Sequence, residues 1–154
     1  MKVNLGTLTI ASPAFEHGER IPDHHTMAGE SASPALSWSG VPEGTVSFAL
    51  LAHDPDAPMV GGFTHWILWD IPADVTSLEE NDQRFTSAVN AMGTPGWFPP
   101  APPPGHGDHF YYFHLFALSG TPELDPGVDA DTFLAAIEDL VIEQARLVGV
   151  YSSG

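Results

Sequence analysis

The chain has 154 residues, the length of one domain and enough to bury a substantial core. Twenty Asp and Glu face four Lys and Arg, a formal net charge of −16, although charged residues make up only 16% of the chain. The imbalance comes from missing bases: Lys2 is the only lysine, and Arg20, Arg84 and Arg146 are the only arginines. No basic stripe is left to neutralise a phosphate backbone or an anionic bilayer, which excludes nucleic acid and stable membrane association.

Hydrophobic residues at 43% of the chain, including 9 Phe, 4 Trp and 3 Tyr, argue for a packed core rather than a disordered acidic tail. Fifteen prolines and fifteen glycines fall between short apolar runs, the punctuation of a mainly β domain spanning 1–154. Leu5 to Ile10 alternates apolar and polar residues, and Ala35 to Ser39 is a short strand closed by the turn Gly40-Val41-Pro42-Glu43-Gly44. Thr45 to His53 is a stronger strand. Thr64 to Ile71 and Phe110 to Leu118 are almost wholly aromatic or aliphatic, as suits the central strands of a sheet covered on both faces. Asn90 to Asp108, with six prolines and four glycines, is a long loop, and loops of that length are usually functional. One helix is predicted from about Asp131 to Gln144, with Phe133, Leu134, Ile137, Leu140 and Val141 on one stripe. A strand follows from Arg146 to Tyr151.

No cysteine occurs, so a disulfide framework, a thiolate metal site and a cysteine nucleophile are all excluded. No run approaches the ~18 apolar residues of a membrane span, and Met1-Lys2-Val3-Asn4 does not read as the start of a signal peptide. A cytoplasmic protein is expected. Scarce lysine beside abundant carboxylates reads as a halophilic adaptation, because concentrated salt screens self-repulsion within about 3 Å at 1 M.

Polar residues gather where strands meet loops, in His53-Asp54-Pro55-Asp56-Ala57-Pro58, in Gly61-Gly62-Phe63-Thr64-His65-Trp66, and in Pro102 to Tyr111. The prolines around Asp56 fix φ and remove amide donors, so the backbone presenting Asp54 and Asp56 is stiff. Each segment alone has an ordinary explanation: an aspartate turn, a core histidine, a proline connector. Their conjunction is informative.

These residues resemble the phosphatidylethanolamine-binding proteins, in particular the prokaryotic Raf kinase inhibitor-like branch. Ser12-Pro13-Ala14-Phe15, Ile21-Pro22, Ser33 to Pro42 and Ser47-Phe48-Ala49-Leu50 follow that pattern. The run Asp54 to Pro58 and the His65-Trp66 step are its most diagnostic pieces. Pro102-Pro103 followed by Gly105, His106, Gly107 and His109 resembles the family's second signature, P-P-x-G-x-G-x-H-R-Y. The resemblance implies a large central sheet, a smaller second sheet, one or two helices and a small cavity that accepts phosphate or a phosphorylated head group. Asp54, Asp56, His65, Ala101, His109 and Tyr111 fall at or beside the positions it assigns to that cavity. It also implies regulation of a protein partner, of kinase or protease type. The chain departs from the pattern at Phe110, where the family has arginine, at the acidic Asp108, and at Trp97, Phe98 and Pro99, where tyrosine and glycines are usual. Met27 and Ala101 stand where relatives often have cysteine.

Histidine, tyrosine hydroxyl and backbone amides can donate to phosphoryl oxygens without a permanent cation, with Asp54 orienting either His65 or His109. A non-catalytic binding protein with no cofactor is therefore expected, its anion affinity rising as pH falls through roughly 6.5, the unperturbed histidine value. No G-x-S-x-G elbow supports a serine hydrolase. The alternative is a metal-dependent hydrolase or metal-binding protein using His53, Asp54, Asp56, His65, His106 and His109, since imidazole and carboxylate suit zinc. Edge strands of such a fold could pair in a homodimer.

Overall fold

The computed structural model describes residues 6–153. Among these, eight strands form two antiparallel sheets. The smaller contains β1 (Thr9–Ala11), β2 (Leu36–Ser39) and β5 (Ser77–Leu78), in the order β1-β2-β5. The larger contains β3 (Ser47–Asp54), β4 (Phe63–Pro72), β6 (Thr86–Ser87), β7 (His109–Leu118) and β8 (Val141–Tyr151), in the order β6-β4-β3-β7-β8. A 3-10 turn, Asp23–His25, and one α-helix, α1 (Ala130–Ile137), complete the fold.

The central strands read as continuous apolar runs because both of their faces are buried. Phe48 and Leu50 of β3, Trp66 and Leu68 of β4, and Phe113 and Leu115 of β7 pack toward the smaller sheet, against Leu36, Trp38 and Leu78. The alternate residues, Ala49 and Leu51, Ile67 and Trp69, and Phe116, pack on the opposite face against Phe133 and Ile137 of α1. Side chains alternate along a strand, so one run supplies two cores. Each fully buried Phe or Leu contributes about 1.5–3 kcal/mol of transfer free energy to this sandwich.

Three sequence expectations change. The N-terminal strand is only Thr9–Ala11, and Leu5 lies outside the described residues. Ala35 falls just ahead of β2. The helix does not reach Gln144: Asp129 caps its start by accepting from the Thr132 amide at 2.9 Å, and it ends at Ile137. Val141, Glu143 and Gln144 instead pair with Leu118, Ala117 and Phe116 of β7. The apolar spacing across 133–141 suits a helix locally, but the main-chain groups of β7 need a partner over their full length, and the β-branched Val141 and Ile142 sit readily in a strand.

Residues 17–21 cover part of the outer edge of β8. Gly18 and Ile21 donate to the carbonyls of Val148 and Val150, Val150 donates to Glu19, and the Val148 amide donates to His17 Nδ1. Edge-to-edge pairing is closed along this stretch. Among the described residues, no helix is long and apolar enough to cross a membrane.

Candidate functional site

The start of β4, the end of β3 and the start of β7 are neighbours in the larger sheet, so Phe63, Asp54 and His109 meet at one rim. The ladder brings together residues far apart in sequence, and irregularities aim them. In the β3–β4 pairing, Ala52 faces Trp66 and His53 faces Thr64, leaving His65 as an extra residue without a partner. Such a bulge re-aims a side chain. It turns the His65 ring edge-on to Tyr111, with centroids 5.2 Å apart. His53 leaves the site, its Nδ1 lying 3.1 Å from the Thr64 hydroxyl and its side chain lining a different recess.

The loop 90–108 forms the opposite wall and is tied down at several points. Asn90, 4% exposed, bonds Thr94 and Gly96 through its amide nitrogen, and its side-chain oxygen accepts from Met92. Phe98 donates its amide to the His65 carbonyl at 2.8 Å and accepts from the His65 ring at 2.6 Å. On the facing side the Met27 amide donates to Pro100. The turn between β3 and β4 needs glycine at Gly62, where φ is +75° and a Cβ would collide with the Asp54 carbonyl.

Asp54, His65, Ala101, His109 and Tyr111 together line a cavity of about 210 Å³, floored by Phe63 and Phe98. Asp56 does not line it, against expectation. Its carboxylate accepts from the Phe110 amide at 3.0 Å, and its own amide donates to Asp54 at 2.8 Å, so it braces the rim from outside. A backbone amide thus occupies the Asp56 carboxylate. Trp97 turns away from the cavity and stacks on Phe113 at 6.1 Å. The sequence departures at Phe98 and Pro99 make the wall apolar.

The polar groups form two separate units. Asp54, 2% exposed, accepts from His109 Nδ1 at 2.7 Å, and His109 Nε2 lies 2.6 Å from Nδ1 of the exposed His106. Asp54 therefore orients His109, and a relay of carboxylate and two imidazoles runs from the cavity to the surface. Sequence reasoning places His106 only among metal ligands; its position in the Gly105–His109 signature is the signal for this role. His65 stands apart. Burial pushes its pKa down to about 4, only partly opposed by the Phe98 carbonyl, so the ring is neutral at ordinary pH. Because Nδ1 donates to that carbonyl, Nε2 carries the lone pair. At neutral pH His65 presents an acceptor, a correction to its expected role as an anion donor. Burial, followed by the nearby Asp54, pushes the Tyr111 phenol well above its usual range, so it stays protonated. Its hydroxyl makes no hydrogen bond among the described residues.

The six residues of the sequence-based metal reading do not bring three ligand atoms within 4.8 Å of one another; among the described residues that arrangement occurs elsewhere.

Comparison with known proteins agrees with this architecture. The family model described as phosphatidylethanolamine-binding protein matches residues 11–152. A UPF0098 protein of Methanothermobacter thermautotrophicus is 40% identical over 154 residues, covering 96% of this chain and all of that one. The crystal structure of a phosphatidylethanolamine-binding protein homolog from Chlamydia trachomatis superposes with a TM-score of 0.91 at 33% identity, covering 96% of this chain and 99% of that one. YbcL of E. coli, described as a member of the mammalian PEBP family, gives 0.92 at 30% identity over 97% and 100% of the two chains. The chain belongs to the phosphatidylethanolamine-binding protein family.

Proposed function

We propose that the cavity binds a small phosphorylated ligand, phosphate itself or a phosphorylated head group, without catalysing its turnover, in a cytoplasmic setting. The observation that carries this reading is the Tyr111 hydroxyl, a donor held protonated by the raised phenol pKa and without a partner among the described residues, in the same cavity as His109. The described lining contains no serine, threonine, cysteine or lysine, and both carboxylate oxygens of Asp54 are already engaged. These features support binding over nucleophilic catalysis. Phe63 and Phe98 suit an apolar substituent next to the charged head.

The lone pair on His65 sharpens the ligand class. A phosphate monoester or hydrogen phosphate can donate its own P–OH to Nε2 while accepting from Tyr111, whereas fully ionised sulfate has no proton to offer. The test is calorimetric titration at high salt with phosphate, phosphoethanolamine, acetate and sulfate, repeated on His109→Gln. Expected are binding of the two phosphates, weaker or absent binding of sulfate, and a loss in the variant. No anion binding, sulfate binding as tight as phosphate, or an unaffected variant would overturn the reading.

A further inference from the structure

A second polar cluster lies outside the cavity, where the 3-10 turn Asp23–His25 meets the segment after β5. The turn is closed by the His25 amide on the Pro22 carbonyl, and the Thr26 amide and hydroxyl both donate to the Asp23 carbonyl. The consecutive His24 and His25 rings lie 5.0 Å apart at 73°. Glu80 reaches across from the other segment, 2.9 Å from His24 Nε2. His24, His25 and Glu80 can each place one ligand atom within 4.8 Å of the others.

His25 distinguishes this cluster from a surface ion pair. It is 3% exposed, and its Nδ1 lies 2.8 Å from the Ala32 carbonyl. A carbonyl can only accept, so Nδ1 carries the proton and Nε2 the lone pair, which has no partner among the described residues. An outer acceptor on one ring nitrogen that leaves the other as a fixed donor is how metal-binding histidines are held. His24 is held differently, with Glu30 3.4 Å from its Nδ1 and Glu80 2.9 Å from its Nε2, so a metal ion would enter between Nε2 and Glu80. Simple pairing of a protonated His24 with Glu80 accounts for the raised His24 and lowered Glu80 pKa, but leaves the buried His25 Nε2 idle.

We propose that His24, His25 and Glu80 bind a divalent transition-metal ion of the zinc class, two imidazoles and a carboxylate leaving a fourth position for water or a further ligand. The ion replaces the proton that His24 shares with Glu80, so its affinity falls with pH. The Met27 amide, two residues past His25, donates to Pro100 next to Ala101 of the cavity wall, so the ion sits beside the segment that anchors the ligand loop.

The test uses the full chain, stripped with chelator and titrated calorimetrically with zinc chloride at about pH 7 and about pH 5, with thermal unfolding measured in parallel. One zinc per chain is expected at the higher pH, with a raised melting temperature and a much weaker response at the lower pH. Glu80→Gln, at an exposed position, and His24→Gln, at a half-buried one, should each weaken uptake tenfold or more. Absence of stoichiometric uptake at about pH 7 overturns the proposal. So does uptake that survives both substitutions, and so does uptake lost in His109→Gln instead, which would move the ion to the cavity.

Discussion

Replacing Tyr111 by phenylalanine separates binding from folding. The side chain is 2% exposed and its ring sits against His65 and His109, contacts that phenylalanine keeps. The hydroxyl has no hydrogen bond to lose among the described residues, so stability should change by no more than about 0.5 kcal/mol, a melting shift of roughly 1–2 °C for a chain of this size. Binding should respond differently. A hydrogen bond to a charged partner is worth about 1.5–3 kcal/mol, which predicts a 10- to 150-fold rise in the phosphate dissociation constant. Because burial raises the phenol pKa, Tyr111 does not titrate in the working range, so the ratio of wild-type to variant affinity should not change with pH. Calorimetric phosphate titration from about pH 5 to 8, with scanning calorimetry of both proteins, measures each quantity. A melting temperature lowered by more than about 5 °C would reveal a structural partner for the hydroxyl. A dissociation constant within twofold of wild type would remove Tyr111 from the site.

Acid should destabilise the fold through two histidines. Burial is the main cause that pushes His65 and His114 down to about 4, and for His114 the neighbouring Arg146 adds to it. Gln144 donates to His114 Nδ1 at 3.1 Å, which requires that nitrogen to be unprotonated. In the unfolded chain both titrate near 6.5, so the unfolded state binds more protons in between. Their contribution is complete above about pH 6.5 and is lost as pH falls toward 4, at most roughly 3 kcal/mol each; denaturant midpoints at neutral and acidic pH test this, and a midpoint that rises on acidification contradicts it. Phe133→Ala should cost about 3–5 kcal/mol, because the fully buried ring joins α1 to Trp69. A loss below about 1 kcal/mol in urea would mean that α1 is dispensable to the second core. The charge of −16 predicts a melting temperature that climbs from dilute buffer to multimolar KCl, and a flat response would remove the halophilic reading.

Patterns carried within short windows are legible in the amino-acid sequence itself. The apolar runs at 45–53, 64–71 and 110–118 announce strands, the last two covered on both faces, and the proline-rich stretch from Asn90 announces a loop. Residues 141–144 read as helix because helical spacing is a local signal, whereas their strand pairing depends on β7, more than twenty residues earlier. The two-residue strands β5 and β6 are too short for any period to show.

The same division holds at the site. The family resemblance, carried by the motifs at 54–58, 65–66 and 102–111, placed Asp54, Asp56, His65, Ala101, His109 and Tyr111 at one cavity, and all but Asp56 line the same recess. The sequence also set the surface charge and excluded cysteine chemistry, since these depend only on composition. Tertiary structure decided what each group does. Asp54 holds His109, Asp56 faces outward to the Phe110 amide, and burial beside the Phe98 carbonyl makes His65 an acceptor. It also brought Glu80 to His24 and His25 from a segment more than fifty residues away. Protonation state and hydrogen-bond direction follow from desolvation and from which partner lies within about 3 Å, and only the packed chain sets those distances.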